Sequence, residues 1–188
     1  MRHKYDTRGF VLARTSAGEA NTLVTILTRD LGVVRVRAQG LRRSGAKLAA
    51  ALPTLAESDL VLVRGKEGWR LTGAVLGENW FTRLGGAEPR ERAGRVAGLL
   101  LRLSPGEAPD SSAYPIVAAF LRALAAEPAS EHDALEIAAA LALLAAFGFD
   151  DGAHLAADPF SPAQRADIAR ARTAYVARVN RGIAASGL

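Results

Sequence analysis

The chain has no cysteine among its 188 residues, and this one absence excludes disulfides, thiolate zinc sites, iron–sulfur clusters and cysteine nucleophiles together. Histidine is scarce: His3, His132 and His154 stand alone, with no His-Glu-x-x-His pattern and no paired-aspartate spacing of a metal site. Asp150, Asp151 and Asp158 fall in a loop, where carboxylates are ordinarily solvated. The expectation is a protein without cofactor or metal that is not an enzyme. No apolar run reaches the roughly 18 residues of a membrane-spanning helix. The first residues, MRHKYDTRGF, lack the apolar region and cleavage site of a secretory signal, which leads us to expect a cytoplasmic protein.

Hydrophobic residues make up 49% of the chain, ample for a packed core. The net charge of +5 is unevenly spread. Residues 1–83 hold 14 Lys/Arg against 7 Asp/Glu, whereas residues 84–188 hold 10 against 12. A basic module is thus joined to a near-neutral one, and a basic excess of this kind is suited to a polyanion, either nucleic acid or an anionic membrane.

The hydrophobic period changes along with the charge. Up to Leu76 the apolar residues alternate or run in short blocks between turn signals. Strands are predicted over Thr7–Thr15, Asn21–Thr28, Gly32–Gln39, Leu60–Arg64 and Trp69–Leu76. The clearest is GVVRVRAQ, in which Val34 and Val36 point one way and Arg35 and Arg37 the other. A short helix over Lys47–Leu52 separates the third strand from the fourth, and Gly65-Lys66-Glu67-Gly68 turns the fourth into the fifth. Five strands with that helix form the layout of an oligonucleotide-binding (OB) barrel, with an SH3-like barrel as the alternative. From Glu88 onward the period is helical: Arg90–Leu103, Tyr114–Ala126, a helix over Asp133–Phe147 that is apolar nearly all round, and a last helix from Ser161-Pro162 to about Ala185. The predicted class is α+β, with an OB domain over residues 1–80 and a helical domain over 81–188. Gly85-Gly86 is a candidate hinge between them.

The segment RVRAQGLRRSGAKL, Arg35 to Leu48, has two glycines at the spacing of a nucleotide-binding loop. However, Ala46 displaces Lys47 by one position, and Leu48 stands where a magnesium-binding hydroxyl belongs. What remains is five cations and no acid between Arg35 and Lys47, a composition that neutralises phosphates along a polymer. The candidate nucleic-acid-binding residues are Arg35, Arg37, Arg42, Arg43, Lys47 and Arg70, with Trp69 as a stacking face ahead of Tyr5 and Phe10, although aromatics at strand spacing more often belong to the core. The bland reading is a solvated loop guarding a barrel edge. A second basic face falls on the last helix, at Arg170, Arg172, Arg178 and Arg181. It suits DNA or an acidic partner, or is simply the solvated side of an amphipathic helix.

These residues also carry a resemblance. Gly9-Phe10-Val11-Leu12, the ordered run from Glu19-Ala20-Asn21 through Leu27-Thr28 to Gly32, and Ala38-Gln39-Gly40-Leu41-Arg42-Arg43 resemble the RecO DNA-repair family over about residues 5–78. LEIAAALALLAAFGF, ending at Phe149, is similar to a helix of that family. The resemblance implies an OB barrel followed by helices. It also implies a non-catalytic mediator of the RecF recombination pathway that binds single- and double-stranded DNA and anneals strands. Such a mediator loads recombinase with RecR and the single-stranded DNA-binding protein, and it would receive that partner's acidic tail on the last helix. Two departures stand out. The four-cysteine zinc module of many members has no ligands here, which makes this a compact form, and the family's L-x-P-F is altered to Leu52-Pro53-Thr54-Leu55. On the residues alone, an OB module acting on RNA or the ribosome stays open, since both nucleic acids present the same phosphates.

Overall fold

The computed structural model describes residues 4–17, 21–39, 47–108 and 112–188, apart from the side chains of Ala17, Asn21 and Lys47. Contacts divide the chain into two units. One is Met1–Arg83 with Pro105–Tyr114, and the other is Leu84–Ser104 with Pro115–Leu188.

The first unit is a closed barrel in the order β1-β2-β3-β5-β4, built from β1 (Lys4–Ala17), β2 (Asn21–Thr28), β3 (Gly32–Gln39), β4 (Ala56–Gly65) and β5 (Gly68–Asn79). A short helix, α1 (Lys47–Ala50), lies between β3 and β4, and this is the OB architecture. β1 is long because it serves two neighbours. Lys4–Phe10 pair with β4 and Gly9–Ala17 with β2, and a register irregularity between Val11 and Ala13 turns the strand from one partner to the other. Gly9 sits at this crossing, where a Cβ would come 2.6 Å from Ile26 and 2.9 Å from the Leu27 carbonyl oxygen. Closure is completed by a short parallel seam between β3 and β5, Val36↔Trp69 and Arg37↔Arg70.

The lumen is filled by the alternate residues of each strand, among them Val24, Ile26, Val34, Val36, Leu60, Leu62 and Leu71. Leu52, just after α1, plugs one end, with Leu48 and Ala49 packed beside it. The connection from α1 to β4 is tied by Ser58 Oγ donating to the Ala51 carbonyl at 2.6 Å and by Arg14 donating to the Leu52 carbonyl at 3.2 Å. Leu55 adopts a φ of 64° there, an uncommon conformation for a branched side chain, held by its N–H donating to the Val11 carbonyl. Helix α2 (Trp80–Arg83) follows β5 directly.

The segment after Leu103 returns to the barrel. Val33 N–H donates to the Gly106 carbonyl, Ala108 N–H donates to the Leu31 carbonyl, and Gly32 bridges to Glu107. Further along, the Tyr114 hydroxyl donates to buried Glu57 at 2.7 Å. Glu57 also accepts from Trp80 Nε1 at 3.2 Å and lies 3.1 Å from Arg8 Nε. One buried carboxylate thereby joins β1, β4, α2 and the returning segment.

In the second unit α5 (His132–Ala146) is the central helix, buried nearly all round and packed against α3 (Ala87–Leu103), α6 (Pro162–Arg170) and α7 (Arg172–Ala185). α4 (Ala113–Ala126) leads into it through a short 3-10 turn. α5 ends in a paired cap. Gly148 has a φ of 80°, its N–H donates to the Ala145 carbonyl, and Phe149 N–H donates to that of Leu144. The Ser161 hydroxyl caps α6 by accepting from Gln164 N–H, with Pro162 in the first turn. The last helix is broken where a single one is predicted. Ala171, at φ −111° and ψ 31°, separates α6 from α7. Alanine has no intrinsic preference for a break, so the bend answers to tertiary ties, chief among them the Tyr175 hydroxyl donating to Asp167 at 2.6 Å across it.

No helix among the described residues is long and apolar enough to cross a membrane.

Candidate nucleic-acid interface

The period-2 alternation of β3 sends Val34, Val36 and Ala38 into the lumen and leaves Arg35, Arg37 and Gln39 on the outer face. Register carries this face across the barrel. Arg37 is partnered by Leu23 on β2 and by Arg70 on β5, Arg70 by Val63 on β4, and Val63 by Lys4 on β1. Three cations therefore lie in one row across the strands. Arg35 is two residues along from Arg37, opposite Thr25.

Beside the row, the turn joining β4 to β5 forms the wall of an open groove of about 860 Å³, lined by Val63, Arg64, Lys66, Glu67, Arg70 and Thr72. A smaller hollow of about 230 Å³ continues it between Arg37, Gln39, Glu67 and Arg70. The turn is Lys66-Glu67, with Gly65 and Gly68 paired at its base and Gly68 at a φ of 98°. In OB barrels the face of strands 2 and 3, together with this loop, is where oligonucleotides bind.

The cations of this face are of two kinds, and Lys4 is of the paired kind, 3.4 Å from Asp6. Arg37 Nη1 is 2.8 Å from Glu67 Oε2, and Arg64 pairs with Glu107 of the returning segment. Arg35, Lys66 and Arg70 have no carboxylate at ion-pair distance among the described residues. Arg64 also lies over the Trp69 ring, 4.9 Å from its centroid, while Tyr5 meets the same ring edge-on at 5.0 Å.

Of the residues singled out in the sequence, Arg35, Arg37 and Arg70 are brought together on this face. Arg42 and Arg43 lie outside the described residues, and Lys47 is placed only as the first residue of α1. Trp69 belongs to the barrel core and is 5% exposed, and Phe10 is fully buried. Neither offers an open face to a base, whereas Tyr5 is 39% exposed. The sequence reading missed Arg64, Lys66, Glu67 and Glu107. Arg64 closed a predicted strand, Lys66 and Glu67 lay in a turn whose glycines signalled only a reversal, and nothing local to Glu107 marks its return to β3.

The arginines of the last two helices are mostly engaged. Arg170 pairs with Asp167 at 2.8 Å, and Arg172 with Asp133 at 2.7 Å. Arg178 is held between Asp150, at 2.7 Å, and Asp151. Arg181 is exposed and unpaired among the described residues. The hydrogen bond from Arg172 holds the Asp133 carboxyl below the usual range against partial desolvation, helped by Arg92 and Arg95. Among the described residues, no group of three acidic or histidine side chains is placed to hold a metal ion.

Comparison with known proteins shows what the barrel is similar to. Residues 1–78 match the family described as Recombination protein O N terminal. Proteins named DNA repair protein RecO are similar over longer stretches. That of Dehalococcoides mccartyi is 26% identical over 122 residues, covering 65% of this chain and 48% of its own length. That of Heliobacterium modesticaldum is 36% identical over 101 residues, 54% of this chain and 37% of its own. That of Gloeobacter violaceus is 30% identical over 151 residues, 80% and 58%. The chain spans about half the length of these relatives. Over the barrel of its first 78 residues, the chain is thus similar to the amino-terminal domain of the RecO family.

Proposed function

We propose that the chain is a non-catalytic, DNA-binding mediator of recombinational repair that holds single- and double-stranded DNA on the outer face of its barrel. The observation that carries this reading is the register pair Arg37–Arg70 lining an open groove, with Arg35 beside it on the strand-3 face of a RecO-type barrel. Cations so placed neutralise backbone phosphates and release their counterions, giving salt-sensitive affinity with little sequence preference. The annealing of complementary strands fits the same surface. It requires two polyanions to be held close together, and neutralised phosphates repel less, with no bond made or broken. RecR and the single-stranded DNA-binding protein are the proposed partners in recombinase loading. Of the last-helix arginines, Arg181 has no ion pair among the described residues and is the one left for a partner's acidic tail.

The test is a binding titration of the chain against single-stranded DNA, duplex DNA and RNA of one length over a range of salt, with a strand-annealing assay alongside. We expect DNA binding that weakens steeply with salt, and faster annealing. RNA binding that equals or exceeds DNA binding, without annealing, would favour an RNA or ribosome module instead.

A further inference from the structure

The two hollows of the barrel face meet at a carboxylate. Glu67 lines both of them, as does Arg70. Its side chain is 81% exposed at the tip of the turn, yet it reaches across to Arg37 on β3, whose own side chain is 51% exposed. A carboxylate and a phosphodiester make the same demand on a guanidinium, since each carries negative charge and accepts N–H hydrogen bonds. We infer that Glu67 is a built-in competitor for the phosphate position on Arg37, so that a strand must displace it to occupy the groove. This rests on the DNA-binding reading above and adds a regulatory element to the same site.

The energetics fit a mask that yields. An ion pair this exposed is weak, and displacing it reduces affinity by only about two- to fivefold. A single phosphate has little advantage over a carboxylate already tethered 2.8 Å away. A polymer differs, because neighbouring phosphates engage Arg35 and Arg70, which carry no competing acid among the described residues. The phosphate facing Arg37 then arrives at high effective concentration. Glu67 thereby favours polyanions over isolated anions, and its own charge sets a toll on every strand that runs from one hollow to the other.

The inference is tested by titrating the full chain with an oligothymidylate of about 16 nucleotides, an upper site size for one such barrel. The chain would carry Glu67→Gln, Glu67→Asp or, as a control of equal charge change away from the groove, Asp59→Asn. Glu67→Gln is expected to tighten binding about two- to fivefold and to steepen its salt dependence. Glu67→Asp keeps the charge but is one methylene too short for the ion pair, and it should give part of that gain. Asp59→Asn should give less than either. Equal effects of Glu67→Gln and Asp59→Asn, or no gain with Glu67→Asp, would overturn the competitor role. Arg70→Ala separates this failure from that of the underlying reading. If Arg70→Ala weakens binding while the Glu67 variants are neutral, only the competitor role falls. If Arg70→Ala has no effect either, the groove is not the binding face.

Discussion

Arg37 on β3 and Arg70 on β5 are register partners in the parallel seam that closes the barrel, and both side chains face solvent. Like charges set directly opposite one another are unfavourable in a sheet. Glu67 relieves part of that repulsion within the folded chain, and a bound phosphate would do the same from outside.

Replacing Arg35, Arg37 and Arg70 together with Ala should lower affinity for single-stranded DNA and flatten its salt dependence by about 0.7 in slope for each phosphate left without a neutralising cation. Stability should hardly move, since each side chain is exposed and surface changes of this kind stay within about 0.5 kcal/mol. Anisotropy titrations at several salt concentrations, paired with a urea melt, read both quantities. An unchanged slope would place the binding face elsewhere.

Gly32→Ala should destabilise the barrel by about 2 kcal/mol. Gly32 has a φ of 69°, and a Cβ there would come 2.8 Å from both the backbone nitrogen and oxygen of Ala108. The damage falls on the junction of β3 with the returning segment, so urea unfolding of the full chain is the measurement.

Two tyrosines should resist alkaline titration. Burial, reinforced by the hydrogen bond to Glu57, pushes the Tyr114 hydroxyl well above its ordinary range. Burial and the hydrogen bond to Asp167 raise the Tyr175 hydroxyl as well. Because the folded values are raised, this stabilisation is complete below the unfolded tyrosine pKa of about 10 and is lost as pH climbs through the folded values. Absorbance at alkaline pH should follow the ionisation of Tyr114 and Tyr175. Both should ionise only above the ordinary tyrosine range, with or after unfolding. Tyr114→Phe should remove one of the delayed ionisations at a cost of about 1 kcal/mol.

The helical unit should lose stability on the acid side. Asp133 is held low by its hydrogen bond from Arg172. For Glu88, desolvation pushes upward but is outweighed by hydrogen bonds from Arg92 and His132. Depressed carboxyl values contribute stability that is present above the unfolded pKa of about 4 and is lost as pH falls through the folded values. Arg172→Ala should therefore flatten the acid limb of a stability-against-pH curve. The effect should shrink in high salt, because Asp133 is partly exposed.

The barrel was legible where local pattern and tertiary role agree. β2 and β3 begin and end where alternation and the turn residues place them, and Gly148 and Ser161 stop and start helices for reasons contained in a few neighbours. Non-local features were not legible. β1 runs to Lys4 because β4 pairs with its first half. Trp69 reads as a stacking face or a core residue, and only its strand register, unseen in the sequence, turns it into the lumen against Val36. Arg172 and Arg178 read as a free basic face until Asp133 and Asp150, distant in sequence, are seen to meet them. On the binding face the outward arginines of β3 were readable from period alone, whereas Glu67's reach across to Arg37 depends on how β5 docks beside β3.

The seam between β3 and β5 has two register pairs, where the other joins of the barrel have seven or more. It is the zip with the fewest teeth, and in a cooperative barrel that is where opening starts. A strand of DNA laid across Arg37 and Arg70 would act as a stitch over that zip, and by mass action any ligand of the closed form raises the cost of opening. Amide exchange at Trp69 and Arg70 would then slow when DNA is added, ahead of the rest of β5, so that the protein reports its own cargo through the stiffness of its shortest join.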